Sequence, residues 1–134
     1  MRIDEFSFKS GKEILASRPA LYSSILAALV NAQEARLRKP KTSKAKYLHR
    51  EFSAEGWGKG PSLEPHFSFL KERIAIRIQF SDRDLMRFLS AFVSDQIDVG
   101  VLIVDSKNEL NRIKADLAWL RGTIVVPIWV IALK

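Results

Sequence analysis

Between Lys71 and Phe80 apolar and polar residues alternate. Ile74, Ile76, Ile78 and Phe80 fall on one side, and Arg73, Ala75, Arg77 and Gln79 on the other. A period of two is that of a strand, and it sets Arg77 beside Gln79 on the face away from the isoleucines. Near the start, Arg2 to Phe8 reads as a short strand through Ile3, Phe6 and Phe8. Pro19 suits the first turn of a helix, and Leu21, Ile25, Ala28, Leu29 and Ala32 recur at helical spacing. That helix is expected to run to about Arg38 and stop before Pro40. Tyr47, Leu48 and Phe52 predict a further short helix. Gly56, Gly58, Gly60 and Pro61 surround Trp57 and make residues 56–66 a loop.

Beyond the alternating segment, Ser81 or Asp82 caps a helix through about Ser94, with Leu85, Met86, Leu89 and Phe92 as its expected buried stripe. The nearly unbroken apolar run Val99–Val104 predicts a strand covered on both faces. Ser106-Lys107-Asn108-Glu109 has the form of a capping box. It opens a helix burying Leu110, Ile113, Leu117 and Leu120, with Gly122 as its terminator. Ile124 to Leu133 predicts a last buried strand, in which Pro127 argues for an edge or a bulge. This order implies an α/β fold with a mixed sheet flanked by helices. The 134 residues show no repeat and no long linker, so one domain over residues 1–134 is expected.

Charge changes this picture more than composition does. Net charge is +7 and the pI about 9.9, which favours a polyanionic partner, nucleic acid before a membrane surface. The charge is concentrated in an acid-free stretch from 36 to 50 that holds Arg36, Arg38, Lys39, Lys41, Lys44, Lys46 and Arg50. Lys and Arg on phosphates release counterions and give affinity without reading sequence; Tyr47 and His49 could add stacking or hydrogen bonds. The plain alternative is a solvated surface segment. No apolar run reaches the roughly 18 residues of a membrane span, and Met1-Arg2-Ile3-Asp4-Glu5 lacks the apolar core of a signal peptide. A cytoplasmic protein without membrane contact is expected. The absence of cysteine removes disulfides, thiolate metal sites and a cysteine nucleophile. There is no Gly-rich phosphate loop and no nucleophile elbow, and His49 and His66 are too few for a His-based metal site.

The alternating strand with its Leu70-Lys71-Glu72-Arg73 lead resembles the central strand of the BglII/BstYI-like restriction endonucleases, a branch of the PD-(D/E)xK nuclease fold. Val93-Ser94-Asp95-Gln96-Ile97-Asp98-Val99-Gly100 and the C-terminal Val125-Val126-Pro127-Ile128-Trp129-Val130-Ile131 are similar as well. Phe52 with Gly56-Trp57, and the helix after Ser10-Gly11-Lys12-Glu13, carry a less specific likeness. The resemblance implies a restriction-endonuclease-like α/β core, duplex DNA as partner, a two-fold homodimer, and Mg²⁺ where the site works. In such enzymes two carboxylates hold divalent cations that polarise the phosphate and supply hydroxide.

Carried over residue by residue, the first carboxylate falls at Ser68, the second at Arg77, and the third group, Gln in this branch, at Gln79. Only Gln79 matches. A guanidinium has no acceptor and cannot ligate a cation, so no cofactor is expected at Arg77 and Ser68. The stretch between the Gly-Trp and the first acid is also shortened, to Gly58–Phe67. The reading is a DNA-binding relative that has lost catalysis. One alternative is a Mg²⁺-dependent endonuclease using displaced acids, with Glu64, His66 and Glu72 nearby. A second is an interaction subunit of an active nuclease or other defence protein. Arg77 is expected either to clamp a phosphate or to pair with Asp95 or Asp98. Those two acids otherwise serve a helix end and a strand start. Trp57 is expected to plug the core or to stack on a base, and Trp119 and Trp129 to serve packing or an interface.

Overall fold

The computed structural model describes residues 3–39, 43–58, 67–78 and 83–133. In chain order the elements are β1 (Ile3–Phe8), α1 (Gly11–Ala16), α2 (Pro19–Arg38), α3 (Lys44–Ala54), β2 (Phe69–Lys71), β3 (Ile74–Ile78), α4 (Arg83–Val93), β4 (Val99–Val104), α5 (Lys107–Trp119) and β5 (Ile128–Leu133). The strands form one five-stranded sheet in the order β1-β5-β4-β3-β2. β3, β4 and β5 run parallel, joined by α4 and α5, while β1 and β2 pair antiparallel at the two edges. The fold is thus mixed α/β, with helices on both faces of a mixed sheet.

Alternation along β3 divides the core as its sequence demands. Ile74, Ile76 and Ile78 join Val99, Val101, Ile103, Trp129 and Ile131 under α1, α2 and α3. Ala75, Leu102, Val104, Val130 and Ala132 face the opposite layer, built by α4 and α5. Because side chains alternate along a strand, Arg77 belongs to that second face.

Two expected details are corrected. β5 lies between β1 and β4, so it is no edge. Pro127 precedes the strand, and its carbonyl accepts from Gly100 N at 3.0 Å, so the missing N–H costs no ladder bond. The stripe of α4 is also rotated. Asp84, Leu85, Phe88 and Ala91 are its buried residues, Leu89 and Phe92 are half-buried, and Met86 is 56% exposed. The cause lies in β4: a Cβ on Gly100 would come within 2.9 Å of the Phe88 ring, so the bare glycine lets that ring lie flat on the sheet. Phe67 stacks on Phe88 at 5.4 Å between centroids. With Phe88 as the pivot, Asp84 one turn earlier turns inward with it.

Other readings hold. Trp57 is buried, donates from Nε1 to Ser24 Oγ at 2.9 Å and meets Phe52 edge-on, so it plugs the core. Ser106 Oγ accepts from Glu109 N at 3.3 Å, one half of the expected capping box. Trp129 is packing, whereas Trp119 is 89% exposed. The proposed caps Ser81 and Asp82, the strand residue Phe80, and residues 59–66 of the loop lie outside the described residues.

Candidate functional site

The β2–β3 hairpin brings two of the carried-over positions together. Phe69 pairs with Ile76 and Leu70 with Ala75, so one step further along the same register Ser68 stands opposite Arg77. Ser68 is buried, and its Oγ accepts a hydrogen bond from Ile78 N at 3.0 Å. The hydroxyl therefore closes the end of the hairpin, in line with the ladder. Gln79 and Glu64 lie outside the described residues.

Arg77 does not pair with Asp95 or Asp98, which corrects that expectation. Those acids sit at the opposite end of β3, about 13 Å away over four strand residues. Asp98 takes Arg18 Nη2 at 2.6 Å and Arg73 Nε at 2.9 Å, and Asp95 takes the other arm of Arg73. Asp98 N also donates to Arg73 O at 2.7 Å. These contacts hold a tight hairpin turn in which Glu72 and Arg73 both have positive φ, 47° and 70°, an unfavourable region for non-glycine residues.

The Arg18 hydrogen bond, with the Arg73 hydrogen bond also contributing, holds the Asp98 carboxyl below its ordinary value of 3.8. A depressed carboxylate contributes stability that is present above the ordinary value and lost as pH falls through the folded one. Asp98→Asn is therefore expected to lower Tm at neutral pH and to flatten the acid limb of Tm against pH below about 4. An acid limb identical to that of the unsubstituted chain would remove Asp98 from this account.

The partner of Arg77 is Asp84, near the start of α4. Arg77 Nε lies 3.2 Å from Asp84 Oδ1, and Arg87 Nη1 donates to the same oxygen at 3.1 Å. The Asp84 side chain is 2% exposed, against 29% for Arg77 and 26% for Arg87. The Arg77 contact is one of charge proximity. Its Nε is buried and, among the described residues, makes no hydrogen bond of good geometry. Arg87 is placed by its i,i+3 relation to Asp84. Neither Asp84 nor Arg87 stood out in the sequence. The available signal was a charged residue in phase with Phe88 and Ala91 on a helix that must bury that face.

This arrangement does not suit a divalent cation. Mg²⁺ prefers hard, anionic oxygens, and here Ser68 supplies a neutral hydroxyl, Arg77 a cation, and Asp84 an oxygen already shared by two guanidiniums. Among the described residues no group of three His, Asp or Glu is placed to hold a metal ion.

The basic segment lies on the other face of the sheet, in the α2–α3 layer. Arg38 and Lys39 are exposed at the end of α2, Arg36 is half-buried, Lys46 is exposed, and Lys41 lies outside the described residues. Arg50 extends over the Tyr47 ring, 5.0 Å from its centroid, and lies 3.5 Å from Glu51. Tyr47 itself is buried, with its hydroxyl donating to Lys39 O, and His49 packs on Phe69. Lys44 differs from its neighbours. Its Nζ donates to Asp105 O and Leu133 O, each at 2.8 Å, tying α3 to the carboxyl ends of β4 and β5. Burial, with Arg36 close by, holds its pKa below the ordinary value. Two of its three ammonium donors are thus engaged by backbone. Lys44 of the basic segment and Arg77 each lie near the carboxyl ends of the parallel strands, on opposite faces of the sheet, and that rim is where open α/β sheets bind their ligands.

No helix among the described residues is long and apolar enough to cross a membrane. Neither comparison with curated proteins nor comparison with solved structures gave a match. A family model described as Restriction endonuclease BglII/BglIII matches residues 3–133, nearly the whole chain. With this match over nearly the whole chain, and with five strands in a mixed sheet covered by helices on both faces, the chain belongs to the BglII/BglIII restriction endonuclease family, whose members are DNA-binding proteins of the nuclease fold.

Proposed function

We propose that this chain binds duplex DNA in the cytoplasm and does not cut it. The observation that carries the reading is the Arg77–Asp84 contact. The strand position that carries a carboxylate in active relatives holds a guanidinium here, and a buried acid from α4 anchors it. A cation fixed at that point opposes metal binding by charge and by volume. Affinity comes from the basic segment, in which Arg36, Arg38, Lys39, Lys46 and Arg50 supply phosphate contacts, together with Lys41 outside the described residues; Lys44 serves mainly to brace α3. A two-fold homodimer goes with this reading, because a palindromic duplex offers the same phosphates twice.

The test is one incubation with two readouts. Duplex DNA with Mg²⁺ or Mn²⁺ is expected to be retained by the protein at low salt and to remain intact. Replacing Lys39 and Lys46 together by Ala is expected to lower the slope of log affinity against log salt by about two, roughly one per lost phosphate contact. Cleavage that disappears with Glu64→Ala or Glu72→Ala would establish displaced acids instead. Absence of duplex binding at low salt would leave the interaction-subunit reading, which co-purification with a nuclease partner would support.

A further inference from the structure

We propose that Arg77, Asp84 and Arg87 together form a seat for a single phosphodiester, with Asp84 as the positioning residue. The inference deepens the DNA-binding reading and rests on it. Two guanidiniums converge on one oxygen, Arg77 Nε at 3.2 Å and Arg87 Nη1 at 3.1 Å from Asp84 Oδ1. Such a pair repels itself unless anions lie between or beside it. Among the described residues Asp84 supplies one negative charge against two positive ones, which leaves one positive charge over. A phosphodiester carries one negative charge and neutralises it; a phosphate monoester dianion overshoots.

Donor supply leads to the same ligand. Two guanidiniums offer ten N–H donors, while a carboxylate accepts about four hydrogen bonds. Among the described residues the contacts to Asp84 use few of these donors, and planar forks match phosphate oxygens in pairs. Both arginines remain more than a quarter exposed while the acid between them is sealed, so both side chains reach solvent even though Arg77 Nε itself is buried. The seat lies at the carboxyl ends of β3 and β4, beside the first turn of the 11-residue α4, where the helix field also favours an anion. Asp84 lies one turn before Phe88, which packs on Gly100, and its hydrogen bond to Arg87 Nη1 holds that guanidinium before any ligand arrives.

The test measures binding of a labelled duplex by fluorescence anisotropy over a range of salt concentrations. Arg87→Gln is expected to weaken binding about tenfold and lower the salt slope by about one. Arg87→Lys keeps the charge and loses the fork, so the slope stays and affinity falls several-fold. Asp84→Asn separates positioning from charge. Were Asp84 a mere counterion, its removal would strengthen DNA binding. As the positioning residue, its loss weakens binding although the protein becomes more positive. Full affinity and slope in Arg87→Gln overturn the seat and leave DNA binding on the basic segment. If Arg87→Gln does not fold, Arg87→Lys decides, with wild-type affinity overturning the seat. A wild-type chain that fails to bind duplex at low salt overturns the underlying reading and the seat with it.

Discussion

Arg77→Glu is expected to destabilise the fold by about 3 kcal/mol, and Mn²⁺ is expected to restore part of that loss. In the wild-type chain Asp84 is 2% exposed and lies between two guanidiniums. The substitution removes one of them and sets a carboxylate in its place. Losing one partner of a buried ion pair costs about 3–5 kcal/mol, because the remaining charge stays desolvated. Arg87 still bonds Asp84, which places the expected cost at the lower end. The new pair of carboxylates, from β3 and α4, then supplies the hard anionic oxygens a divalent cation needs. A ligand that binds only the folded state raises its apparent stability, so Tm of the variant should rise with Mn²⁺ while that of the wild type stays level. Unchanged stability on substitution would mean that the Arg77–Asp84 contact contributes nothing. A destabilised variant indifferent to Mn²⁺ would mean that the two acids cannot converge on one ion.

Phe88→Ala has a comparable expected effect, about 3–5 kcal/mol in denaturant unfolding, as for a fully buried aromatic truncated to Ala. Phe88 has no exposed surface, stacks on Phe67 and lies on bare Gly100. Its consequence for the site is specific. Asp84 is carried inward by the same turn of α4, so loosening this contact weakens the hold of Asp84 on Arg77. Phe88→Ala and Arg77→Ala should therefore be less than additive in a double-mutant cycle. Gly100→Ala approaches the same contact from the sheet side, since the added Cβ meets the ring at 2.9 Å and must push α4 away. Strict additivity between Phe88→Ala and Arg77→Ala would disconnect the docking of α4 from the site.

Most elements of this fold were legible because their signals are local. The alternation of Ile74, Ile76 and Ile78 appears in the structure as one buried face with Ala75 and Arg77 opposite. The Pro19–Arg38 helix appears with the expected bounds, and its Leu21, Ile25, Ala28 and Leu29 are buried. Pro127 misled because its effect depends on position within the ladder. One residue before the strand it costs nothing, and sequence alone does not fix where a ladder begins. The α4 stripe was misjudged because Leu85, Leu89 and Phe92 fit helical spacing about as well as Leu85, Phe88 and Ala91. Between two nearly equivalent phases, the glycine on the neighbouring strand decides.

The candidate site divides along the same line. The expectation that Ser68 and Arg77 stand where relatives carry two carboxylates came from the family resemblance along the sequence, and the concentration of charge between Arg36 and Arg50 follows from residue order. Both are properties of single segments. The partner of Arg77 is not: Asp95 and Asp98 are equally available by sequence, and the fold places them at the far end of β3, held by Arg18 and Arg73. Likewise Lys44 counts as one more cation in the sequence, whereas the tertiary structure sets it on the carbonyls of Asp105 and Leu133. The strand and the family likeness were readable without the fold, because hydrophobic period and residue identity need no neighbours. Only the tertiary structure decided that a buried Asp84 meets Arg77. That contact joins residues from a strand and a helix and depends on how closely α4 can approach the sheet at Gly100.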